Sequence, residues 1–297
     1  MTTAVDSRAS GPVLQGATVR RSRRLRNGLA SGLIWASVLV AAVPLALVIF
    51  YVIQKGLGVV DLAFLTEDIP VRSRLPGPGM GPAIVGTLIT TGAAALISIP
   101  LGIMAAVYLN EYGRSNRLAA VIRFLSDVMA GVPSIVMGLF LYTIWVLRFG
   151  QSGLAGALAL GALMLPIVIR STESMLRLVP QELREGSLAL GASTSRTILE
   201  VVIPAALPGI TSGSLLAVAR AAGETAPLLF TIGATNAVNL NLLKGSNTSL
   251  SVQIFRNAQL PFAGAQERAW GAAFTLIALV LILTVVARLI SARFTAR

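Results

Sequence analysis

Six long stretches of this chain carry very few charged residues, and this feature restricts the possible fold more than any other. The first stretch, 29–53, has no charged residue at all. An α-helix needs about 20 predominantly apolar residues to cross the hydrocarbon core of a bilayer. The sequence therefore predicts an all-α polytopic membrane protein with six transmembrane helices. The predicted spans are 29–53, 83–110, 128–147, 153–177, 205–233 and 269–290.

The composition of the whole chain supports a membrane protein and excludes several other classes. Hydrophobic residues make up 55% of the chain and charged residues 12%, about half the charged fraction of an ordinary soluble domain. The net charge of +12 is typical of nucleic-acid-binding proteins, but here the basic residues are scattered between apolar stretches and form no continuous face. Because the chain has no Cys and no His, it lacks thiolate and imidazole ligands for zinc or haem.

The distribution of Lys and Arg predicts the orientation, because cytoplasmic loops carry an excess of these residues. An arginine-rich segment precedes the first span, so we expect a basic, disordered cytoplasmic tail over 1–28. With six spans the C-terminus is cytoplasmic as well. This topology places fifteen basic residues inside and seven outside. The segments 54–82 and 234–268 are then external, and 178–204 is cytoplasmic.

Two arginines lie inside or at the end of predicted spans, each close to a glutamate. Arg170 is three residues before Glu173, and Arg220 is four residues before Glu224. Both spacings place the two side chains on one face of a helix. An ionisable residue within a span is costly and is usually functional. Arginine suits tetrahedral oxyanions, and a glutamate partner keeps the empty site near neutral, so the pairs are candidates for an anion path.

Two alternatives remain open for these residues. Arg170 lies late in its span, so its side chain can instead extend to the cytoplasmic interface, whereas Arg220 lies too deep for this. An intramembrane enzyme that uses Glu173, Glu224 or Asp127 is a different class of function. The absence of His and Cys argues against such an enzyme, as does the lack of a second carboxylate near either glutamate within its span.

The connection between the fourth and fifth spans has the pattern of two short helices. A helix is predicted after Pro180, because proline is favoured at helix starts, and Gly191 supplies a sharp exit turn. A second helix is predicted over 193–202, before Pro204 opens the fifth span. This pair either lies on the membrane surface or protrudes and docks in a groove of a partner protein.

The spacing of three residues in this connection resembles the EAA loop of ABC-importer permeases. Gly191 follows Glu185 by six positions, and Pro204 lies thirteen further on. The family pattern has two alanines after the glutamate, and this chain has Gly186 and Ser187 instead. The resemblance implies that Glu185, Gly191 and Pro204 belong to the helix that couples the permease to its ATPase subunit.

Two other segments resemble phosphate-importer permeases of the PstA type. One is RAAGETAPLLF, which begins at Arg220, and the other is AGVPSIV, which begins at Ala130. The likeness covers about 29–290 and implies the type I ABC-importer permease fold, with its domain over about 83–290. It also implies that Arg220, Glu224 and Thr225 line the phosphate route, with Arg170 and Glu173 further in.

The same resemblance predicts the assembly in the bacterial inner membrane. The expected partners are a homologous permease of the PstC type, a dimer of ATPase subunits and an extracytoplasmic phosphate-binding protein. No G-x-x-x-x-G-K-[ST] motif occurs in the sequence, so we expect this chain to bind no nucleotide or other cofactor. A permease for sulfate, molybdate or another oxyanion remains an alternative, since the charge pattern does not distinguish among these anions.

Overall fold

The computed structural model describes residues 21–74, 77, 79–113 and 116–295, and every regular element within these ranges is helical. The all-α prediction is therefore confirmed. Three π-helical turns, Tyr108–Tyr112, Tyr142–Val146 and Ile198–Val202, continue or precede α-helices. The α-helices of the described residues are α1 (Arg21–Gly56), α2 (Leu62–Thr66), α3 (Gly81–Val107), α4 (Arg117–Gly131), α5 (Ser134–Leu141), α6 (Leu147–Phe149), α7 (Gly153–Leu178), α8 (Gln181–Ala189), α9 (Thr194–Thr197), α10 (Ile203–Gly223), α11 (Ala226–Thr231), α12 (Leu250–Ala258) and α13 (Ala263–Thr295).

The chain divides into two units, residues 1–51 and residues 52–297. The described part of the first unit is the N-terminal part of α1, and its apolar side chains are exposed. The helix begins at Arg21, so 21–28 of the predicted disordered tail are helical, while 1–20 lie outside the described residues. The second unit holds the remaining helices and the candidate site.

Helix α7 lies at the centre of the second unit. In its most apolar 18-residue stretch 61% of the residues are buried, against 28% in α3 and 17% in α13. Small residues permit its close packing against α3: a Cβ added at Gly102 would lie 2.8 Å from Val168 Cβ. Close approach of backbones through glycine is typical of helix packing in membranes. The buried centre of the unit includes Leu160, Met164 and Val168 of α7.

The region of the predicted third span, 128–147, is not one straight helix. Helix α4 ends at Gly131, a new helix begins at Ser134, and the two meet at 104°. Proline has no N–H and disfavours helical dihedrals in the preceding residue. Val132 is extended, and Pro133 has φ −58° and ψ 134°, outside the helical region. The described residues thus contain five helices that are long and apolar enough to span a membrane, or six if the bent pair counts as one span.

The region of the predicted fifth span, 205–233, also differs from a single helix. The helix that contains α10 extends from Thr194 to Gly223 and passes through Pro204. Pro204 lies in the first turn of α10, as the sequence predicted, but the chain is already helical before it. The π-helical turn Ile198–Val202 directly precedes it, and the altered hydrogen bonding of such a turn accommodates a residue without an N–H.

Candidate functional site

The helix that carries Arg220 ends three residues after it, at Gly223. Glu224 has an extended backbone (φ −68°, ψ 130°), and α11 begins two residues later with Pro227 in its first turn. Proline is favoured in the first turn of a helix, where no intrahelical N–H bond is required. The sequence GETAP thus encodes a break, with a charged pair at the end of one helix and a new short helix beyond it.

The break after α10 lies close to the break between α4 and α5. The short helices that follow the two breaks pack against each other at Gly138 of α5, where an added Cβ would lie 2.6 Å from Pro227 Cα. The rings of Tyr142 and Phe230 also meet edge to face, with centroids 6.4 Å apart. The absence of a side chain at Gly138 therefore permits the two short helices to pack closely.

A cavity of about 240 Å³ lies between the two breaks and α7. Arg220 and Glu224 are the charged residues among those described that line it. The other walls are mainly apolar, so a charge within the cavity interacts chiefly with this pair. The lining residues are Met129, Ala130, Val132, Pro133, Ser134, Leu163, Met164, Pro166, Ile167, Ala217, Arg220, Ala221 and Glu224.

The Arg220–Glu224 ion pair is loose. Arg220 Nε lies 3.6 Å from Glu224 Oε1, and the two side chains are 69% and 20% exposed. This separation exceeds the usual length of a charge-assisted hydrogen bond, about 2.7–2.9 Å. The guanidinium therefore remains accessible to an anion, with the carboxylate close enough to offset its charge. The i,i+4 pairing predicted from the sequence is present.

Thr225 lies at the break itself and is half-buried. Its backbone carbonyl accepts hydrogen bonds from the N–H groups of Leu228 and Leu229. Its side chain is not among the groups that line the cavity. The structure thus brings Arg220 and Glu224 into one cavity and gives Thr225 a place in the turn beside them.

The predicted pairing of Arg170 with Glu173 is wrong. Arg170 forms an ion pair with Asp127 of α4, and Glu173 accepts hydrogen bonds from Arg123 Nε at 2.9 Å and Arg177 Nη2 at 2.6 Å. Helices α4 and α7 each carry an arginine a few residues before an acidic residue, and the arginine of each helix pairs with the acidic residue of the other. Pairing between the helices therefore replaces the expected Arg170–Glu173 pair, while Glu173 keeps a partner within α7 at Arg177.

A further ion pair escaped the sequence analysis entirely. Arg184 of α8 donates to Glu111 at 3.0 Å, and the two side chains are only 9% and 8% exposed. Arg184 also donates to the carbonyls of Leu176 and Val179. A buried charge requires such partners, and here they attach the base of α8 to the ends of α3 and α7. The sequence feature that could have indicated this pair is Glu111, an acidic residue directly after the apolar stretch 83–110.

The connection between α7 and α10 contains two helical segments, as the sequence predicted. Glu185 lies on the exposed surface of α8. Gly191 has φ +85°, a conformation that glycine adopts without steric cost, and it reverses the chain before α9. The hydroxyls of Ser187 and Thr197, 2.9 Å apart, join the two segments. Pro204 lies at the end of this connection, within the continuous helix.

Comparison with known proteins places this arrangement in a family. Residues 98–296 match the family model described as a binding-protein-dependent transport system inner membrane component. The chain belongs to this family. As one of its inner membrane components, the chain is a transport subunit and not an enzyme, so the intramembrane-enzyme alternative is discarded.

Curated relatives resemble nearly the whole length of this inner membrane component. It is 43% identical to the phosphate transport system permease protein PstA 1 of Mycobacterium tuberculosis (strain CDC 1551 / Oshkosh), over 99% of this chain and 96% of that protein. It is 41% identical to the phosphate transport system permease protein PstA of Yersinia pestis, over 97% of this chain and 98% of that protein.

The fold is also found among solved transporter structures. The inward-facing MetNI methionine ABC transporter superposes with a TM-score of 0.56 and 16% identity, covering 73% of this chain and 94% of that chain. At this identity the likeness concerns the fold alone. The all-helical architecture, its apolar helices and these neighbours identify a multi-pass membrane protein with the type I ABC-importer permease fold.

Proposed function

We propose that this protein is the permease subunit of an ATP-driven phosphate importer and forms half of the path for inorganic phosphate. The observation that carries the proposal is the Arg220–Glu224 pair, which lines a cavity between two helix breaks with its guanidinium largely accessible. The names of the curated relatives supply the cargo. An accessible arginine with its planar set of N–H donors suits a phosphate oxyanion.

Each residue of the site has a role in this proposal. Arg220 binds the anion, and Glu224 competes for the same guanidinium, so that phosphate is held weakly enough to leave. Thr225 lies at the turn where the two helical segments separate. Arg170, paired with Asp127, lies further in along the route, and Glu173 is buried beside it between Arg123 and Arg177.

The proposed location is the bacterial cell membrane, with both termini in the cytoplasm. The excess of basic residues in the predicted inner segments supports this orientation. In this orientation α8 and the turn at Gly191 lie on the cytoplasmic side, where the exposed surface that carries Glu185 docks on an ATPase subunit. ATP hydrolysis by that subunit then moves the helices around the cavity.

The proposed assembly contains four kinds of chain. A homologous permease of the PstC type completes the path, and an extracytoplasmic phosphate-binding protein delivers phosphate from outside. Two ATPase subunits bind on the cytoplasmic side, one of them at the connection between α7 and α10. This chain itself binds no cofactor in the proposal. The large exposed apolar surfaces of its helices are consistent with contacts to lipid and to a second permease.

The test is phosphate uptake by cells that express the Arg220→Gln variant at the same membrane level as the parent. Loss of a hydrogen bond to a charged group costs about 1.5–3 kcal/mol, so we expect uptake to fall by roughly 10–100-fold. Arg148→Gln, which removes an exposed arginine from α6, is the matched control and should leave uptake unchanged.

Two outcomes would contradict parts of this proposal. Undiminished uptake by Arg220→Gln would remove the site. Competition of labelled phosphate uptake by equimolar sulfate or molybdate tests the cargo, since a permease for one of those anions would be inhibited by it as strongly as by unlabelled phosphate. We expect unlabelled phosphate alone to compete effectively.

A further inference from the structure

A second basic region lies where α4, α7 and α8 meet, and its residues are all different from those of the Arg220 cavity. A cleft of about 570 Å³ opens there. Its walls carry three arginines from three helices: Arg123 of α4, Arg177 of α7 and Arg184 of α8. The remaining lining residues are Leu109, Asn110, Leu178, Val179, Pro180 and Gln181.

The charge at this cleft is positive after the known ion pairs are counted. Glu173 pairs with Arg123 and Arg177, and Glu111 pairs with Arg184. Two carboxylates thus face three guanidinium groups. Neither carboxylate is among the described residues that line the cleft, so an entering ligand meets the cationic side chains first.

Several donors in the cleft are not used by the protein. Arg184 is buried and its Nη groups donate to the protein, so it contributes charge to the cleft and not a free donor. Arg123 donates through Nε and Nη2, and its Nη1 has no hydrogen bond among the described residues. Among the described residues, Arg177 donates only through Nη2, to Glu173.

Helix α8 also begins at the cleft with Pro180 as its N-cap, without a side-chain cap. Its first N–H groups lie at this region. Glu182 in the first turn offsets part of the positive end of the helix dipole, but it lines a different pocket.

We propose that this cleft binds a phosphate group. Forked arginine donors and the uncapped start of a helix are the protein groups that recognise phosphate best. Inorganic phosphate and the headgroup of an anionic phospholipid both present this chemistry. A ligand in the cleft would bridge α8 to α4 and α7, and so would hold the start of the connection between α7 and α10. The site requires no assumption about the transported cargo.

The test uses the absence of cysteine from the chain. Gln181→Cys places one thiol in the cleft, and the rate of its alkylation by N-ethylmaleimide reports access. The purified protein, with the subunits that co-purify with it, is placed in phosphatidylcholine nanodiscs, and inorganic phosphate is compared with chloride at equal ionic strength. At about ten times the dissociation constant the cleft is empty roughly one-tenth of the time, so we expect about tenfold slower labelling.

Two arginine variants test whether any protection depends on the arginines of the cleft. Arg177→Gln should abolish it, whereas Arg196→Gln should retain it. Both arginines belong to i,i+4 pairs with a glutamate and are similarly exposed, 60% and 67%, but Arg196 lies outside the cleft. A thiol at Leu190, at the other end of α8, should label at the same rate with and without phosphate. Leu178→Cys, also in the cleft, replaces Gln181→Cys if that variant does not fold.

A comparison of nanodiscs with and without an anionic lipid distinguishes free phosphate from a lipid headgroup as the ligand. Protection by inorganic phosphate in phosphatidylcholine discs identifies the free anion, and protection only in discs that contain phosphatidylglycerol identifies a headgroup. Absence of protection in both, or equal protection in the Arg177→Gln variant, would overturn the proposal. Because Arg220→Gln should keep this protection, failure of the cleft and failure of the proposed transport site are distinguishable.

Discussion

Two arginine–glutamate pairs of this protein differ in how firmly they are held. Glu111 and Arg184 are almost fully buried, 3.0 Å apart, and Arg184 also donates to two backbone carbonyls. Arg220 and Glu224 are 3.6 Å apart, and the arginine is mainly exposed. Removing one partner of a buried pair leaves an uncompensated charge, whereas an open pair contributes little to stability. The first pair therefore maintains the fold, and the second is available to exchange partners.

The largest effect expected from this difference is on stability. Glu111→Ala leaves Arg184 buried without its carboxylate, so we expect a loss of about 3–5 kcal/mol in the free energy of unfolding. Thermal unfolding of the detergent-purified protein measures it. Glu200→Ala, which removes the carboxylate of the exposed Arg196 pair, should change stability by less than about 0.5 kcal/mol. Equal effects of the two variants would show that burial does not distinguish these pairs.

The open pair should affect transport more than stability. In Glu224→Gln the guanidinium of Arg220 loses its competing carboxylate, so phosphate binds more tightly and leaves more slowly. We expect KM and the maximal rate of uptake to fall together, each by roughly tenfold if the competition is worth about 1.4 kcal/mol. The unfolding free energy should change by less than about 1 kcal/mol. A fall in stability comparable to that of Glu111→Ala would contradict the comparison.

The smallest effect concerns the half-exposed pair between Arg170 and Asp127. Asp127→Asn should alter stability by less than about 1 kcal/mol, because exposed ion pairs are weak. If Arg170 lines the route, Arg170→Gln lowers uptake several-fold while Asp127→Asn does not. Uptake assays at matched expression decide between this role and simple extension of Arg170 to the membrane interface. Unchanged uptake in Arg170→Gln supports the interface.

The sequence alone predicted features that depend on neighbours along one helix. The Arg220–Glu224 pair follows from a spacing of four residues, and the turn at Gly191 follows from the backbone freedom of glycine. The helical character of the connection between α7 and α10 was predictable for the same reason. These features require no information about which helices are adjacent.

Features that depend on contacts between distant segments were not predictable in this way. The partner of Glu173 could be identified only after α4 was known to lie beside α7, and that of Arg184 required the position of Glu111. The breaks at Pro133 and before Pro227 were visible as prolines, but their proximity was not. A proline shows where a helix is weakened, and tertiary packing decides the angle.

The contact between Gly138 and Pro227 has a mechanical consequence. Because backbone meets backbone there with no space for a Cβ, α5 and α11 cannot slide past one another without losing the contact. Any rearrangement that preserves it must carry both short helices together as a rigid body. The points about which such a body would turn are then Val132 and Glu224, the extended residues on either side of the cavity. A rotation about the line through these two hinges would change the width of the cavity and the position of Arg220 in one movement.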